Sequence, residues 1–138
     1  MSMDEAAPKT VVCVEDQPEM IDLIRLILER RGIRVVGAVG GQEGLEVVRR
    51  ERPDLVILDL MMPEVDGYDV HRYIKADPEL RDIPVVVVTA KARPIDKVLG
   101  LHIAKVDEYI TKPFGPTELL DAVEKHLGRT DEVREAER

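Results

Sequence analysis

Short apolar runs alternate with longer amphipathic stretches along most of the chain. Four runs, residues 10–14, 34–39, 55–58 and 84–89, are rich in β-branched and aliphatic side chains, and a weaker fifth covers 108–111. The runs at 11–14, 56–58 and 85–88 are continuously apolar rather than alternating, the pattern of strands buried on both faces. Between them lie stretches of helical periodicity. Residues 18–31 place Ile21, Ile24 and Leu28 on one face, with Gly32 as a stop. Residues 42–52 carry Leu45 and Val48 before Pro53, and 66–76 end ahead of Asp77-Pro78. Residues 94–104 open with a proline suited to a first helical turn and are expected to turn Ile95, Val98 and Leu99 inward. Residues 116–127 repeat that start, with Leu119, Leu120, Val123 and Leu127 on one stripe and Gly128 as the stop.

Five strand–helix units in strict alternation predict an α/β fold: a doubly wound, five-stranded parallel sheet with five flanking helices. The domain is expected over residues 8–128. Residues 1–7 read as a flexible N-terminus, and 129–138, charged with a single Val, as a solvated tail or the start of a linker.

One position breaks the apolar pattern. In DLVILDLMMPEVDGYDV, residues 54–70, the run 55–58 delivers Asp59 and then resumes with Leu60-Met61-Met62. A carboxylate there is costly to bury unless it is paired, metal-bound or held at a strand end. Asp59 therefore marks where a strand stops, or it has a chemical role. Ligands of doubly wound sheets sit beyond the carboxyl ends of the strands, at the topological switch point. Those ends carry Glu15-Asp16, Asp59, Thr89-Ala90 and Thr111-Lys112-Pro113. With strand order 2-1-3-4-5, three carboxylates converge, with the Thr89 hydroxyl to one side and the Lys112 ammonium reaching across. Carboxylates this close stay ionised only with a cation among them. Oxygen ligands without His or Cys favour a hard ion, Mg2+ (or Mn2+). Such a pocket suits a phosphoryl group bridging metal and lysine. Singly, each residue has an ordinary explanation: Glu15-Asp16 as a helix N-terminal signal, Asp59 as a loop cap, Thr89 as a strand end, Lys112 as a solvated charge. Their joint placement on one rim is what those explanations omit.

Composition narrows the remaining classes. The chain has 138 residues, enough for one domain with a real core, but only 3% aromatic residues and no Trp, so that core is built from Val, Ile and Leu. A net charge of −8 argues against direct nucleic-acid binding by this domain. Cys13 is the single cysteine, which excludes an internal disulfide and reads as a small core residue. No apolar run approaches the roughly 20 residues of a membrane span, and no signal-peptide core is present, so a cytoplasmic protein without a membrane partner is expected.

The segments VVCVEDQPEM, PDLVILDLMMPEVDGYDV, IPVVVVTA and DEYITKPF, in that order and spacing, resemble the receiver domain of two-component response regulators, the flavodoxin-like fold of the bacterial chemotaxis regulator, over about residues 8–128. The resemblance implies that Asp59 is the phosphoacceptor, taking its phosphoryl group from a sensor histidine kinase or a histidine phosphotransfer protein. Asp16 and Asp59 would bind the metal directly, Glu15 through water, with the Met61 backbone carbonyl as a further ligand. Lys112 would pair with the phosphoryl oxygens, Thr89 would move to hydrogen-bond them, and Tyr109 would swing between outward and inward rotamers. The bond before Pro113 is usually cis in this family, and Gly67 follows the active-site loop where a positive φ is expected. Met61, Ala90 and Lys91 would flank the line of attack on the phosphoryl group. Met61 cannot orient a water by hydrogen bonding, and Lys91 reaches only oxygens on the far side, so slow self-dephosphorylation is expected. The implied output is a change in the face formed by the fourth helix, fifth strand and fifth helix. It would act on a downstream protein partner or an output domain outside this sequence, as a switch rather than an enzyme, in a monomer or a transient phosphorylation-dependent dimer.

Two departures from the family pattern stand out. Glu15 replaces the more usual Asp, lengthening the reach to the metal's water shell, and Lys105-Val106 stand where the family often has Gly-Ala, which is expected to stiffen the loop into the fifth strand. Rival classes fit less well. Phosphatases of the haloacid-dehalogenase type usually carry DxD at the nucleophile, and Asp59-Leu60-Met61 lacks the second acid. A flavodoxin-like FMN binder needs a Ser/Thr-rich phosphate loop where Glu15-Asp16-Gln17-Pro18 would repel phosphate. A degenerate receiver used only for dimerisation would not need the full phosphorylation set. His71, His102 and His126 have no mutual metal-ligand spacing.

Overall fold

The β-branched runs form the strands of the computed structural model, which describes residues 8–136, with side chains through Gly128. Residues 1–7, expected to be flexible, and 137–138 lie outside the described residues, as do the side chains of the charged tail. Strands β1 (Thr10–Glu15), β2 (Arg34–Val39), β3 (Leu55–Leu58), β4 (Val85–Thr89) and β5 (Glu108–Thr111) pair in parallel in the order β2-β1-β3-β4-β5. Side chains alternate across a pleated sheet. Val11 and Cys13 of β1 therefore enter one apolar layer and Val12 and Val14 the other, and β3 separates Leu55 and Ile57 from Val56 and Leu58 in the same way. Both layers are buried, which is why these strands read as unbroken apolar runs. Cys13 is fully buried, and burial pushes its thiol far above the ordinary range, as befits a core residue.

Helices close both layers. On one side, α1 (Pro18–Glu29) buries Ile21, Ile24 and Leu28, while α5 (Pro116–Ala136) buries Leu119, Ala122, Val123 and Leu127. On the other, α2 (Gly41–Glu51) contributes Val47 and Val48, and α3 (Gly67–Ala76) contributes Val70 and Ile74. Helix α2 ends at Arg52, whose backbone is left-handed at φ 45°, just before Pro53. Helix α3 starts after Asp66, whose side chain accepts a hydrogen bond from the Asp69 amide at 3.0 Å.

Two helices depart from the sequence expectation. Helix α5 does not stop at Gly128 but runs on to Ala136, because that glycine stays out of the left-handed conformation that would end the helix. Residues 94–104 are not one α-helix. After α4 (Pro94–Val98), a π-helical turn covers Leu99–Ala104 and ends at Lys105, which is left-handed at φ 64°. Ile95, Val98 and Leu99, expected inward, are 51%, 44% and 43% exposed. The buried positions are Asp96 and Gly100. Asp96 is drawn in to cap the helix, accepting from the Arg93 amide at 3.1 Å and pairing with its guanidinium. The wider π-turn shifts the periodicity of everything that follows.

Candidate functional site

Topology gathers the polar strand ends on one rim. Val14 of β1 lies opposite Leu58 of β3, so the next residues, Glu15 and Asp59, stand side by side. Asp59 extends the ladder by donating its amide to the Val14 carbonyl at 3.0 Å, and its residue is only 4% exposed. It is thus both a strand-end residue and a buried charge. Lys112, just past β5, is tied to the end of β4 by its amide, which donates to the Thr89 carbonyl at 2.8 Å.

The side chains converge as the sequence suggests. The Lys112 ammonium donates to Glu15 Oε2 at 2.8 Å and to Asp59 Oδ2 at 3.2 Å, while Asp59 Oδ1 accepts from the Met61 amide at 3.0 Å. Carboxylate oxygens of Glu15, Asp16 and Asp59 lie within 4.8 Å of one another, the one cluster of this kind among the described residues. Burial, with a further push from the Asp59 charge, raises the Glu15 carboxyl to about 7 against the pull of its hydrogen bond to Lys112. For Lys112, burial alone would lower the pKa, but the two carboxylates outweigh it and hold the ammonium above its ordinary value. Three carboxylates facing one ammonium leave a negative surplus, and an all-oxygen donor set of this charge fits a hard divalent cation.

Other candidates fall into place around this centre. The Lys112-Pro113 bond is cis. Thr89 is fully buried, and its hydroxyl oxygen accepts from the Lys91 amide at 3.4 Å. Tyr109 is in an inward position, 8% exposed, with its hydroxyl donating to the Lys91 carbonyl at 2.8 Å. Met61 and Ala90 are exposed and Lys91 half-buried, along the open rim. Gly67 does not have the positive φ expected of it. It is the first residue of α3, and a Cβ there would lie 2.3 Å from the Asp59 carbonyl oxygen and 2.6 Å from Leu60 Cα. Close approach of helix to strand is what requires the glycine, and the left-handed residue of that loop is Glu64, at φ 68°. Sequence reading passed over Tyr68 and Gly100, both packed beside Tyr109. The lone signal for Gly100 is a glycine inside an apolar helical stretch. The histidines do not join the site, and His126 pairs with Glu108 at 2.9 Å.

Comparison with known proteins agrees. The family model of the response regulator receiver domain matches residues 11–124. The chain is 36% identical over 129 residues to the response regulator GtcR of Aneurinibacillus migulanus, covering 94% of this chain and 52% of that protein. It is 37% identical over 123 residues to the alkaline phosphatase synthesis transcriptional regulatory protein PhoP of Bacillus subtilis, covering 89% and 50%. The solved receiver domain of the Francisella response regulator 1452 superposes with a TM-score of 0.81 at 28% identity, over 88% of this chain and 98% of that one. The chain spans about half the length of the curated relatives it matches. Motif order, sheet topology and relatives agree, and the chain belongs to the response regulator receiver domain family of two-component systems.

Proposed function

We propose that this chain is a phosphorylation-dependent switch whose phosphoacceptor is Asp59. The observation that carries the reading is the Lys112 ammonium held between Glu15 and Asp59, with Asp16 in the same oxygen cluster. A nucleophilic carboxylate, a fixed cation and a metal-ready acid group thus share one rim.

An Asp59 oxygen attacks the phosphorus of a phosphohistidine on a sensor histidine kinase or a histidine phosphotransfer protein. The new P–O bond forms as the P–N bond breaks, and the bonding pair leaves on the imidazole nitrogen. Asp16, Asp59 and the Met61 carbonyl would hold Mg2+ or Mn2+, with Glu15 contributing through water. Bound there, a divalent ion would supply charge neutralisation for the phosphoryl oxygens. Lys112 pairs with those oxygens, and the Thr89 hydroxyl leaves the Lys91 amide to donate to them. Tyr109 moves with Thr89, and the surface that changes is the α4–β5–α5 face, residues 93–104 and 114–120. The exposed Ile95, Val98, Leu99 and Ile103 support protein contact there.

The chain acts as a switch with slow self-dephosphorylation rather than as an enzyme turning over a substrate. Its output is a downstream protein partner or an output domain outside this sequence, without direct nucleic-acid contact by the receiver itself. Its setting is the cytoplasm, as a monomer or a transient phosphorylation-dependent dimer. Among the described residues, no helix is long and apolar enough to cross a membrane. Incubation with Mg2+ and acetyl phosphate or phosphoramidate tests the reading. The expected result is a mass gain of one phosphoryl group that is absent in Asp59→Asn. No gain in the wild type, together with no beryllofluoride binding, refutes it.

A further inference from the structure

The Tyr109 ring is buried although its strand, β5, is at the edge of the sheet. Its hydroxyl has the Lys91 carbonyl, but the ring itself is seated by the π-turn. A Cβ built on Gly100 would lie 2.6 Å from Tyr109 Cδ2 and 2.8 Å from Cε2, closer than real Cβ atoms come to a neighbour. The backbone does not ask for glycine here, since Gly100 is not left-handed and a helical interior disfavours it. The ring does. The Gly100 carbonyl also accepts from the Lys105 and Val106 amides, the latter at 2.9 Å, which ties the seat to the end of the turn. A π-turn closes i to i+5 and so holds one residue more than the α-helical turn it replaces. In this turn Gly100 is the buried residue, with Leu99, Leu101 and Ile103 at 43%, 37% and 69% exposure.

We propose that Gly100 is the positioning residue for Tyr109. The π-turn presents its bare backbone as the seat of the buried ring, so the ring's position and the register of the fourth helical segment change together. The ring cannot remain inward when a side chain occupies that seat, whether by mutation or by re-registration of the turn. The inference rests on the proposed function only for its consequence, that the α4–β5–α5 face moves with Tyr109.

The test uses the full chain labelled with 3-fluorotyrosine, whose three resonances are assigned by Tyr→Phe variants. The solvent isotope shift between water and D2O reports ring exposure. In the wild type it is expected to be small for Tyr109 and large for Tyr73, which is 55% exposed. In Gly100→Ala the Tyr109 shift rises toward that of Tyr73, and the melting temperature falls. In a Tyr109→Ala background, Gly100→Ala no longer lowers it. An unchanged Tyr109 shift in folded Gly100→Ala overturns the proposal. So does a melting loss that persists without the ring, because the glycine would then serve the turn itself. Neither measurement needs Mg2+ or a phosphodonor, so failure of Asp59 to accept a phosphoryl group would leave this result standing, and the reverse holds as well.

Discussion

Replacing Gly67 with alanine probes how tightly Asp59, the proposed phosphoacceptor, is held. The added methyl would sit 2.3 Å from the Asp59 carbonyl oxygen, 2.6 Å from Leu60 Cα and 2.9 Å from the Asp59 carbonyl carbon. Ordinary contact begins at 3.4 Å, so the start of α3 and the end of β3 must part by about an ångström. Neither side yields freely. The Asp59 amide is bonded to the Val14 carbonyl at 3.0 Å, and the Gly67 amide to the Leu60 carbonyl at 3.2 Å. Overpacking of this kind costs about 1–3 kcal/mol, roughly 3–10 °C in melting temperature for a domain of this size. Part of the displacement falls on Asp59, and a misplacement of about 1 Å at a reacting group costs up to ~100-fold in rate. The expected result is a folded variant that melts lower and is phosphorylated by acetyl phosphate about 10- to 100-fold more slowly at saturating Mg2+. Gly115→Ala, where a Cβ meets nothing within 4 Å, is the neutral control. Unchanged melting and an unchanged rate in Gly67→Ala would show that this contact does not hold Asp59 in place.

Three further outcomes are expected. Lys105→Gly relieves a left-handed backbone that a Cβ disfavours and should stabilise the chain by about 0.5–1 kcal/mol, read by denaturant titration; a loss of stability contradicts the assignment. In metal-free protein the Glu15 carboxyl, raised from 4.5 to about 7, binds a proton that the unfolded chain does not. Its stabilising contribution is therefore complete below about pH 4.5 and lost as pH rises through about 7. Relative to Glu15→Gln, which does not titrate, the wild type in EDTA should lose melting temperature across that window, and a difference independent of pH refutes the shift. Met61 is 50% exposed at the rim, and Met61→Asn, which can orient a water, should shorten the phosphoryl lifetime; an unchanged decay rate counts against the expectation of slow self-dephosphorylation.

What the sequence could and could not convey follows from the range of each interaction. Strand positions were legible because burial on both faces leaves a continuous apolar signature at 11–14, 56–58 and 85–88, whereas that signature carries no neighbour information and the order 2-1-3-4-5 is that of the fold the chain resembles. The acid cluster was legible because a parallel α/β sheet sends every strand's carboxyl end to one rim, so Glu15, Asp59 and Lys112 needed only their strand-end positions. Helical periodicity failed at 94–104 because Asp96 is drawn inward to cap α4, with Ile95 and Val98 left outside, and because a π-turn then replaces the assumed 3.6 residues per turn. The role of Gly67 was misread for a different reason. Positive φ is the usual demand on a glycine, and a contact with backbone eight residues earlier leaves no local mark. Gly100 escaped likewise, since its neighbour Tyr109 belongs to another element.

On the proposed reading, the resting hydrogen bonds set how much of the switch each residue can drive. Shifting a two-state equilibrium from 1:99 to 99:1 requires about 5.5 kcal/mol of differential stabilisation. A hydrogen bond to a charged group contributes about 1.5–3 kcal/mol, so two or three new ones are needed. Lys112 cannot supply the whole, because its resting bonds at 2.8 and 3.2 Å already engage two of the ammonium's three donors and must be exchanged rather than added. Thr89 starts from a weaker position, accepting from the Lys91 amide at 3.4 Å, and gains most by donating to a phosphoryl oxygen. Thr89→Ala should therefore still take up beryllofluoride but switch incompletely. Losing about 2–3 kcal/mol leaves the two states at comparable populations instead of roughly 99:1. The measurement is the position of backbone amide resonances along the line joining the free and fully beryllofluoride-loaded wild type. Intermediate positions at saturating beryllofluoride support the apportionment, and complete switching in Thr89→Ala would place the driving energy elsewhere.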